Sequence, residues 1–327
     1  MNITRRSLMP LAVGAATALS TPGLAQAAAF PTRPMRLVVP YPPGGSADLI
    51  GRMVADAMGH SFSQSVIVEN KGGASGAIGT AYAAHARADG YTFLMAIADT
   101  LAIDPAVFAH LPYDPRKDFD PISLLAVQPF VLAVGPAVKA PTLAALMAEA
   151  KTKPNTISFA SNGAGGLQHL AIELLAAAAG VKLLHVPYTG AGPALSDVMG
   201  GHVDGIFISL QAGGSALKAG KLRALAITSQ KRLSIAPNVP TFAELGYKNF
   251  NVQQWYGLVA PHGTPAPVIA ALNARSVAAI KSPAIAGKLE AAGTEPVGST
   301  PAAFGAFLDK QIALWAGVAK ANHIRIE

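Results

Sequence analysis

Three glycine-rich segments carry the residue types from which an anion-binding site is most simply built. The first covers residues 41–48 (YPPGGSAD), the second 161–166 (SNGAGG), and a third, weaker one 72–76 (GGASG). Each follows a short apolar run and precedes a helical pattern. Glycine lets backbone N–H groups approach a ligand closely, and a helix N-terminus adds unpaired donors and partial positive charge. Such a loop can bind a carboxylate or a phosphate.

One loop of this kind is more often a tight turn that needs glycine for packing. Two of them, one in each half of the chain, favour a cleft that grips an anion from both sides. Nucleotide-binding patterns fail in both loops. The second lacks the third glycine of the dinucleotide motif, because Gln168 stands there, and no glycine loop continues into Gly-Lys-Ser or Gly-Lys-Thr.

Patterns for catalysis and metal binding fail as well. The sequence has no G-x-S-x-G elbow, no H-E-x-x-H motif and no cysteine, and its eight histidines are scattered. We therefore expect no catalytic residue, no cofactor and no metal. One alternative stays open: a periplasmic hydrolase or isomerase in which folding alone brings Ser161 and His169 together.

Short β-type runs alternate with longer helical patterns, which predicts α/β architecture with parallel, doubly wound sheets. A helix after the second loop should stop at Gly180, and Thr300 should cap a terminal helix with Pro301 at its first position. So many β–α units exceed one ordinary domain. Segments 121–141 and 249–256 are suited to cross between two domains. We expect one domain at 28–128 plus 254–327 and the other at 129–253.

The composition excludes a disordered chain, since 51% of residues are hydrophobic and only 13% charged. The net charge of +7 suggests a binder of polyanions, but the basic residues are spread singly, so we expect no nucleic-acid partner. Residues 1–27 combine Arg5 and Arg6, a short apolar run and an A-x-A site. This pattern is typical of a secretory signal peptide cleaved after Ala27, so we expect a periplasmic protein. The arginine pair also resembles a twin-arginine signal, which leaves the export route open.

The loops and several fragments in fixed order resemble the substrate-binding proteins of the tripartite tricarboxylate transporter family, also called the Bug or TctC family. The resemblance covers nearly the whole mature chain. The fragments are PGGxxD (43–48), VENKxGAxG (68–76), LPYDPxKDF (111–119), HLAxEL (169–174), HVPYxGxGPA (185–194), GGHVD (200–204), VPTFxExG (239–246) and WYGLxAP (255–261).

The resemblance implies two α/β domains hinged around a cleft, as in periplasmic binding proteins, with closure on a small carboxylate. It further implies that a membrane permease, or a sensor protein, recognises the closed form; we expect a monomer. Carried over to this chain, the ligand-binding positions lie on the two loops, on the segment 188–190 and after the third strand. They are Tyr41, Gly44, Gly45, Asp48, Asp99, Thr100, Ser161, Asn162, Gly165, Gly166, His169, Tyr188, Thr189 and Gly190.

The chain departs from the family pattern near the expected cleft. Thr189 stands where the family often has lysine, and Asp104 stands where it often has asparagine; Asp99 adds a second acid nearby. These changes weaken the case for a highly anionic ligand. A monocarboxylate, an aromatic acid and a zwitterionic amino acid all fit the sequence.

Overall fold

The computed structural model describes residues 30–248 and 250–326, so the predicted signal peptide lies outside the described residues. Ten strands are present in this part of the chain: β1 Met35–Val39, β2 Val66–Asn70, β3 Thr92–Ile97, β4 Phe119–Val134, β5 Ser158–Ser161, β6 Leu184–Pro187, β7 Gly205–Ser209, β8 Arg223–Ile227, β9 Gln253–Pro261 and β10 Glu295–Pro296.

The same residues form ten α-helices. They are α1 Ser46–Phe62, α2 Ala77–Ala84, α3 Asp104–Val107, α4 Leu143–Thr152, α5 Leu167–Ala179, α6 Ala191–Gly200, α7 Leu210–Lys218, α8 Ala266–Ile280, α9 Pro283–Ala291 and α10 Pro301–Ala321. Two short turns complete the set, a 3-10 turn at Ala74–Gly76 and a π-helical turn at Asp99–Ile103. None of the helices in these ranges is long and apolar enough to cross a membrane.

The strands form one continuous path in the order β2-β1-β3-β9-β4-β7-β5-β6, with β8 and β10 also paired to β4. Strand β1 is parallel to β2 and β3, and β5 is parallel to β6 and β7. The predicted parallel α/β pattern therefore holds within each half. Between the halves it does not, because β4 and β9 are antiparallel to their neighbours. These two strands carry the chain across and back, so they must run in opposite directions.

Strand β4 joins the two halves of this path. Its residues 119–129 pair with β9, and its residues 130–134 pair with β7 and β8. A strand of 16 residues is long enough to take part in both halves. The loops that follow β1, β3, β5 and β7 consequently lie around the region where β4 and β9 pass from one half to the other.

Helix signals in the sequence are confirmed. The Thr300 hydroxyl accepts a hydrogen bond from Ala303 N–H at 3.2 Å and caps α10, whose first residue is Pro301. Helix α5 ends at Gly180, which has φ +63°, a left-handed conformation that favours glycine. Phe304 and Trp315 on α10 are fully buried against the sheet, and they join a core that spans both halves of the molecule.

Candidate functional site

A cavity of about 610 Å³ lies where the loops after β1, β3, β5 and β7 face the crossing strands. The carboxyl ends of strands in open α/β sheets are the usual place for a ligand crevice. The lining comes from the start of α1, the turn after β3, the loop before α5, the starts of α6 and α7, strands β4 and β9, and the C-terminal end. The lining residues are Tyr41, Pro42, Pro43, Gly45, Ser46, Ala47, Ser75, Ile97, Asp99, Asp104, Phe108, Gln128, Phe130, Asn162, Gly163, Ala164, Gly165, Gly166, Leu167, Gln168, Ala191, Ile208, Ser209, Ala212, Gln254, Tyr256 and Ile326.

The first glycine loop opens its helix N-terminus to this cavity. Gly45, Ser46 and Ala47 all line it. The first hydrogen bond of α1 runs from Leu49 N–H to Gly45 O at 3.0 Å, so the amide groups before it have no helical acceptor. Among the described residues, Ser46 and Ala47 N–H have no other acceptor either. The loop therefore offers backbone donors to an anion.

Asp48 points away from the cavity and fixes the loop from behind. Its buried carboxylate accepts hydrogen bonds from Gly44 N–H (3.0 Å), Arg52 Nε (3.0 Å) and Asn70 Nδ2 (2.9 Å). Burial acts to raise the pKa of Asp48, but the bonds from Arg52 and Gly44 outweigh it and hold that pKa below its usual value. Neither Asp48 nor Gly44 lines the cavity, whereas Tyr41 and Gly45 do.

The third glycine segment supports the first loop. Tyr41 Oη donates a hydrogen bond to Ser75 O at 3.0 Å. A Cβ on Gly76, whose φ is +97°, would lie 2.6 Å from the Thr100 Cγ2 and 3.2 Å from Pro40 O. Glycine is therefore required there for packing, and only Ser75 of this segment reaches the cavity.

The second glycine loop lines the opposite wall with Asn162, Gly165 and Gly166, as the resemblance implies. Ser161 and His169 lie behind it. Ser161 is fully buried, and its Oγ lies 2.6 Å from His185 Nε2; among the described residues no hydrogen bond joins it to His169. His169 Nδ1 instead accepts a hydrogen bond from Gly165 N–H at 2.9 Å. Both side chains brace the loop and do not line the cavity.

His169 and His185 stack face to face behind this loop, with ring centroids 3.7 Å apart. Burial, and then the neighbouring His169, lowers the pKa of His185 to about 4, and burial also lowers the pKa of His169. Both rings are therefore neutral at pH 7. A hydrolase would need Ser161 exposed to substrate and a base oriented by an acid; in the described part of the chain, His185 has no hydrogen bond besides that to Ser161.

The segment 188–190 contributes less than the resemblance implies. Tyr188 Oη donates a hydrogen bond to Asp197 at 2.6 Å, and Thr189 is exposed. Gly190 precedes α6 with φ +153°. None of the three lines the cavity, but Ala191, the next residue, does.

After β3, the two adjacent predicted positions have different roles. Thr100 is buried, and its carbonyl accepts a hydrogen bond from Tyr113 Oη at 2.7 Å, outside the cavity. Asp99 lines the cavity and reaches the opposite wall, where its Oδ1 accepts Leu167 N–H at 3.2 Å. Leu167 is the first residue of α5. An acidic side chain thus already occupies one donor at the N-terminus of the second loop's helix.

The floor of the cavity comes from residues outside the expected ligand-binding positions, although one of them, Tyr256, lies in the WYGLxAP fragment. Gln128 on β4 accepts a hydrogen bond from Tyr256 Oη at 3.2 Å and donates to Gln211 Oε1 at 3.1 Å. Gln211 Oε1 also accepts a hydrogen bond from Ser46 Oγ at 2.8 Å. Hydrogen-bonded side chains therefore connect the two walls. Gln254 on β9 donates to Asp99 at 3.1 Å. A signal was present in the sequence: polar residues interrupt the apolar runs of the predicted crossing segments.

The lining is unusual in charge. Of the residues that the structure describes, it contains two acids, Asp99 and Asp104, and no lysine, arginine or histidine. Within residues 30–248 and 250–326 there is no cluster of three or more His, Cys, Asp or Glu side chains suited to a metal ion. The site therefore offers backbone donors, amides, aromatic rings and carboxylates.

Fold and cavity together define a binding protein of the two-domain α/β class, and comparison with known proteins identifies the family. Residues 50–323 match the model of the tripartite tricarboxylate transporter family receptor, TctC. The protein BugT of Bordetella pertussis is 37% identical over 313 residues, which cover 94% of this chain and 96% of BugT. The chain belongs to the TctC family.

Solved structures agree. One solved as a periplasmic transporter is 40% identical, with a TM-score of 0.79 over 91% of this chain and 100% of its own. A Rhodopseudomonas palustris protein solved with adipate is 33% identical, with a TM-score of 0.79 over 90% and 99%. MatC of the same organism, solved with malate, is 31% identical, with a TM-score of 0.75 over 88% and 99%. The predicted fold class, two α/β domains around a cleft, is confirmed.

Proposed function

We propose that this protein captures a small carboxylate in the periplasm and presents it to a membrane permease. The observation that carries the proposal is the cavity between the two glycine loops, where the N-terminus of α1 leaves backbone donors open. A carboxylate accepts such donors in charge-assisted hydrogen bonds, which are about twice as strong as neutral ones. Relatives that cover almost the whole chain were solved with the carboxylates adipate and malate.

In this proposal, closure of two bodies completes the site. The bodies are residues 28–128 plus 254–327 and residues 129–253. The change of partners along β4 at residue 129 supports this division. Among the described residues, three side-chain hydrogen bonds join the two bodies at the cleft: Ser46 Oγ to Gln211, Gln128 Nε2 to Gln211 and Leu167 N–H to Asp99. Closure excludes water from the carboxylate and so strengthens its hydrogen bonds.

The residues that we propose as ligand contacts differ from the set implied by the resemblance. Tyr41, Gly45, Asp99, Asn162, Gly165 and Gly166 line the cavity and act on the ligand directly. Three of the remaining positions act from behind: Asp48 and His169 hold loop amides, and Ser161 holds His185. We propose no ligand contact for the others, Gly44, Thr100, Tyr188, Thr189 and Gly190. Ser46, Ala47, Gln128, Gln254 and Tyr256 join the direct contacts.

The protein is not an enzyme in this account. The relatives are receptors of transporters, and the geometry gives no support to the Ser161–His169 hydrolase. Export with cleavage after Ala27, a monomeric state and recognition by a permease complete the proposal.

A ligand screen tests this function. Residues 28–327 would be unfolded and refolded to remove any carried ligand, then melted with mono-, di- and tricarboxylates, aromatic acids, amino acids and sugars. A ligand at a hundred times its Kd stabilises the fold by about 2.7 kcal/mol, which raises Tm by several degrees. We expect one class of carboxylate to raise Tm and sugars to leave it unchanged. Stabilisation by sugars alone would contradict the proposal.

A further inference from the structure

We propose that the carboxylate ligand also carries an ammonium group, which Asp99 and Asp104 bind within the same cavity. The inference rests on the proposed function and narrows its substrate class to zwitterionic amino carboxylates. It follows from the acceptors in the cavity wall, from the absence of a cation to balance them, and from the open donors at α1.

Asp104 is a buried carboxylate without an adequate partner. It is only 3% exposed, and it lines the cavity from the first turn of α3. Its Oδ2 lies 3.5 Å from Tyr113 Oη, whose single hydrogen is already donated to Thr100 O at 2.7 Å, so Oδ2 receives at most one long, shared hydrogen bond; its Oδ1 accepts none from the described residues. An isolated buried carboxylate is costly unless it is paired or protonated. A cation from the cavity would supply the missing partner.

Asp99 also lacks a charged partner. Among the described residues it accepts hydrogen bonds from neutral donors, Leu167 N–H and Gln254 Nε2. An ammonium group has three N–H donors and no acceptor, which suits a part of the wall that presents two carboxyl groups.

The charges of the cavity point the same way. Neither Asp99 nor Asp104 occurs in an ion pair of the described residues. No nitrogen of a described lysine, arginine or histidine side chain therefore lies within 4.0 Å of a carboxylate oxygen of these two acids. Within residues 30–248 and 250–326, no basic side chain lines the cavity. A dicarboxylate would bring a second negative charge towards these two acids, and wherever they are ionised, as Asp104 is above about pH 8, like charges repel strongly because water is excluded. An amino carboxylate presents its carboxylate to the open donors of α1 and its ammonium group to the two acids.

Protonation of the acids supports this assignment. Burial, and then the charge of Asp99, raises the pKa of Asp104 to about 8, and burial raises the pKa of Asp99. Tyr41 and Tyr113 are the other titratable groups that face Asp104, and burial raises the pKa of each further above neutrality. Near pH 7 an arriving ammonium group therefore displaces a proton from Asp104. Affinity for such a ligand should rise from pH 6 to pH 9, while an amino group of pKa about 10.4 stays charged.

The test compares matched ligands that differ in one group. The first set is hexanoate, adipate and 6-aminohexanoate; the second is 4-methylpentanoate and leucine, which places the amino group next to the carboxylate. Calorimetric titration of refolded residues 28–327 at pH 8 gives each Kd. We expect at least one amino carboxylate to bind ten times or more tightly than its amine-free counterpart, and adipate to bind more weakly than 6-aminohexanoate.

The variants Asp104→Asn and Asp99→Asn identify the subsite. We expect each to reduce the preference for the amino ligand to less than threefold, and the exposed-site control Asp309→Asn to keep it. Asp104→Asn loses only one long hydrogen bond, so it remains informative if Asp99→Asn fails to fold.

Three results separate this inference from the proposed function. Carboxylates that bind without any preference for the amino ligand would overturn the inference and leave the proposed function standing. A preference that survives in both Asp variants would also overturn it. A protein that binds none of the carboxylates in this test or in the wider screen contradicts the proposed function, and the inference falls with it.

Discussion

The two glycine loops occupy equivalent places in the two halves, yet they are built in opposite ways. Behind the first loop, the ionised Asp48 holds Gly44 N–H, and the N-terminus of α1 is open to the cavity. Behind the second, the neutral pair His169 and His185 braces the loop, and Asp99 already occupies Leu167 N–H. Loops of similar sequence can therefore differ in the first amides of their helices, which are open at α1, whereas at α5 an acid occupies the first of them.

The largest expected effect concerns the charged brace of the first loop. Asp48→Asn removes the charge that three donors share, and we expect a loss of about 2–3 kcal/mol in the free energy of unfolding at pH 7. Tm should fall by about 2–4 °C for each kcal/mol. Because the folded-state pKa of Asp48 lies below its usual 3.8, this contribution is present above about pH 4 and is lost as pH falls further.

Thermal melts of both proteins at pH 7 and pH 3 measure this effect. Asp56→Asn is the matched control, because Asp56 lies on the same helix with a side chain that is 79% exposed. Equal melting points of wild type and Asp48→Asn at pH 7 would show that the loop does not depend on this charge.

The open donors of α1 can be tested at a single position. Ser46 is the first residue of the helix, a position where proline fits because its N–H has no helical acceptor, and Gly45 has the extended φ and ψ that a residue before proline needs. Ser46→Pro and Ser46→Ala both remove the hydroxyl, but only proline removes the N–H. We expect Ser46→Pro to bind the carboxylate found in the screen about 10 to 100 times more weakly than Ser46→Ala.

Calorimetry gives the two Kd values, and melts without ligand confirm that both variants fold. Equal affinities would mean that Ser46 N–H does not contact the ligand. The open amide that distinguishes the first loop from the second would then have no part in ligand binding.

The neutral brace of the second loop predicts a different dependence on pH. The pKa of His185 is about 4 in the fold, below its usual 6.5, so its contribution to stability is complete above about pH 6.5 and declines as pH falls towards 4. The decline is at most about 1.4 kcal/mol per pH unit. His185→Gln can keep the contact with Ser161 without titrating, and it should lose less stability than wild type between pH 7 and pH 5.

Urea unfolding at both pH values measures this slope. His60→Gln is the control, since His60 is an exposed residue on α1, and it should behave as wild type. A His185→Gln protein with the full wild-type slope would show that the stacked pair does not cause the loss.

The smallest effect concerns the connection between the two walls. Ser46→Ala removes the hydrogen bond to Gln211, and an exposed neutral bond contributes about 0.5–1.5 kcal/mol at most. We expect affinity to fall two- to fivefold, and Gln211→Ala to produce at least this loss, because it also removes the acceptor of Gln128 Nε2. Calorimetry on the double variant should show less than the sum of the two losses. Full additivity would mean that the two residues act independently.

Much of the fold and part of the site followed from local sequence. The alternation of strand and helix patterns, the stop at Gly180 and the cap at Thr300 depend on neighbouring residues, so spacing reveals them. The contact of Ser161 with His185 does not, because it depends on the parallel register of β5 and β6, in which Phe159 pairs with His185. Local spacing suggested His169 instead.

The floor of the cavity could not be derived for the same reason. Gln128 and Tyr256 are 128 residues apart and meet because β4 and β9 are antiparallel neighbours. The direction of Asp48 also depends on long-range contacts, since Asn70 on β2 holds its carboxylate. Motifs locate the loops, but the tertiary structure decides which side chains of a loop face the ligand.

The most direct test of the account is a crystal structure of residues 28–327 with the tightest-binding carboxylate of the screen. We predict that the ligand carboxylate lies about 2.7–3.1 Å from the backbone nitrogens of Ser46 and Ala47, with Asp99 still bonded to Leu167 N–H. A carboxylate bound at the N-terminus of α5, with Asp99 displaced, would reverse the roles of the two loops. A ligand outside the cavity would contradict the proposed site altogether.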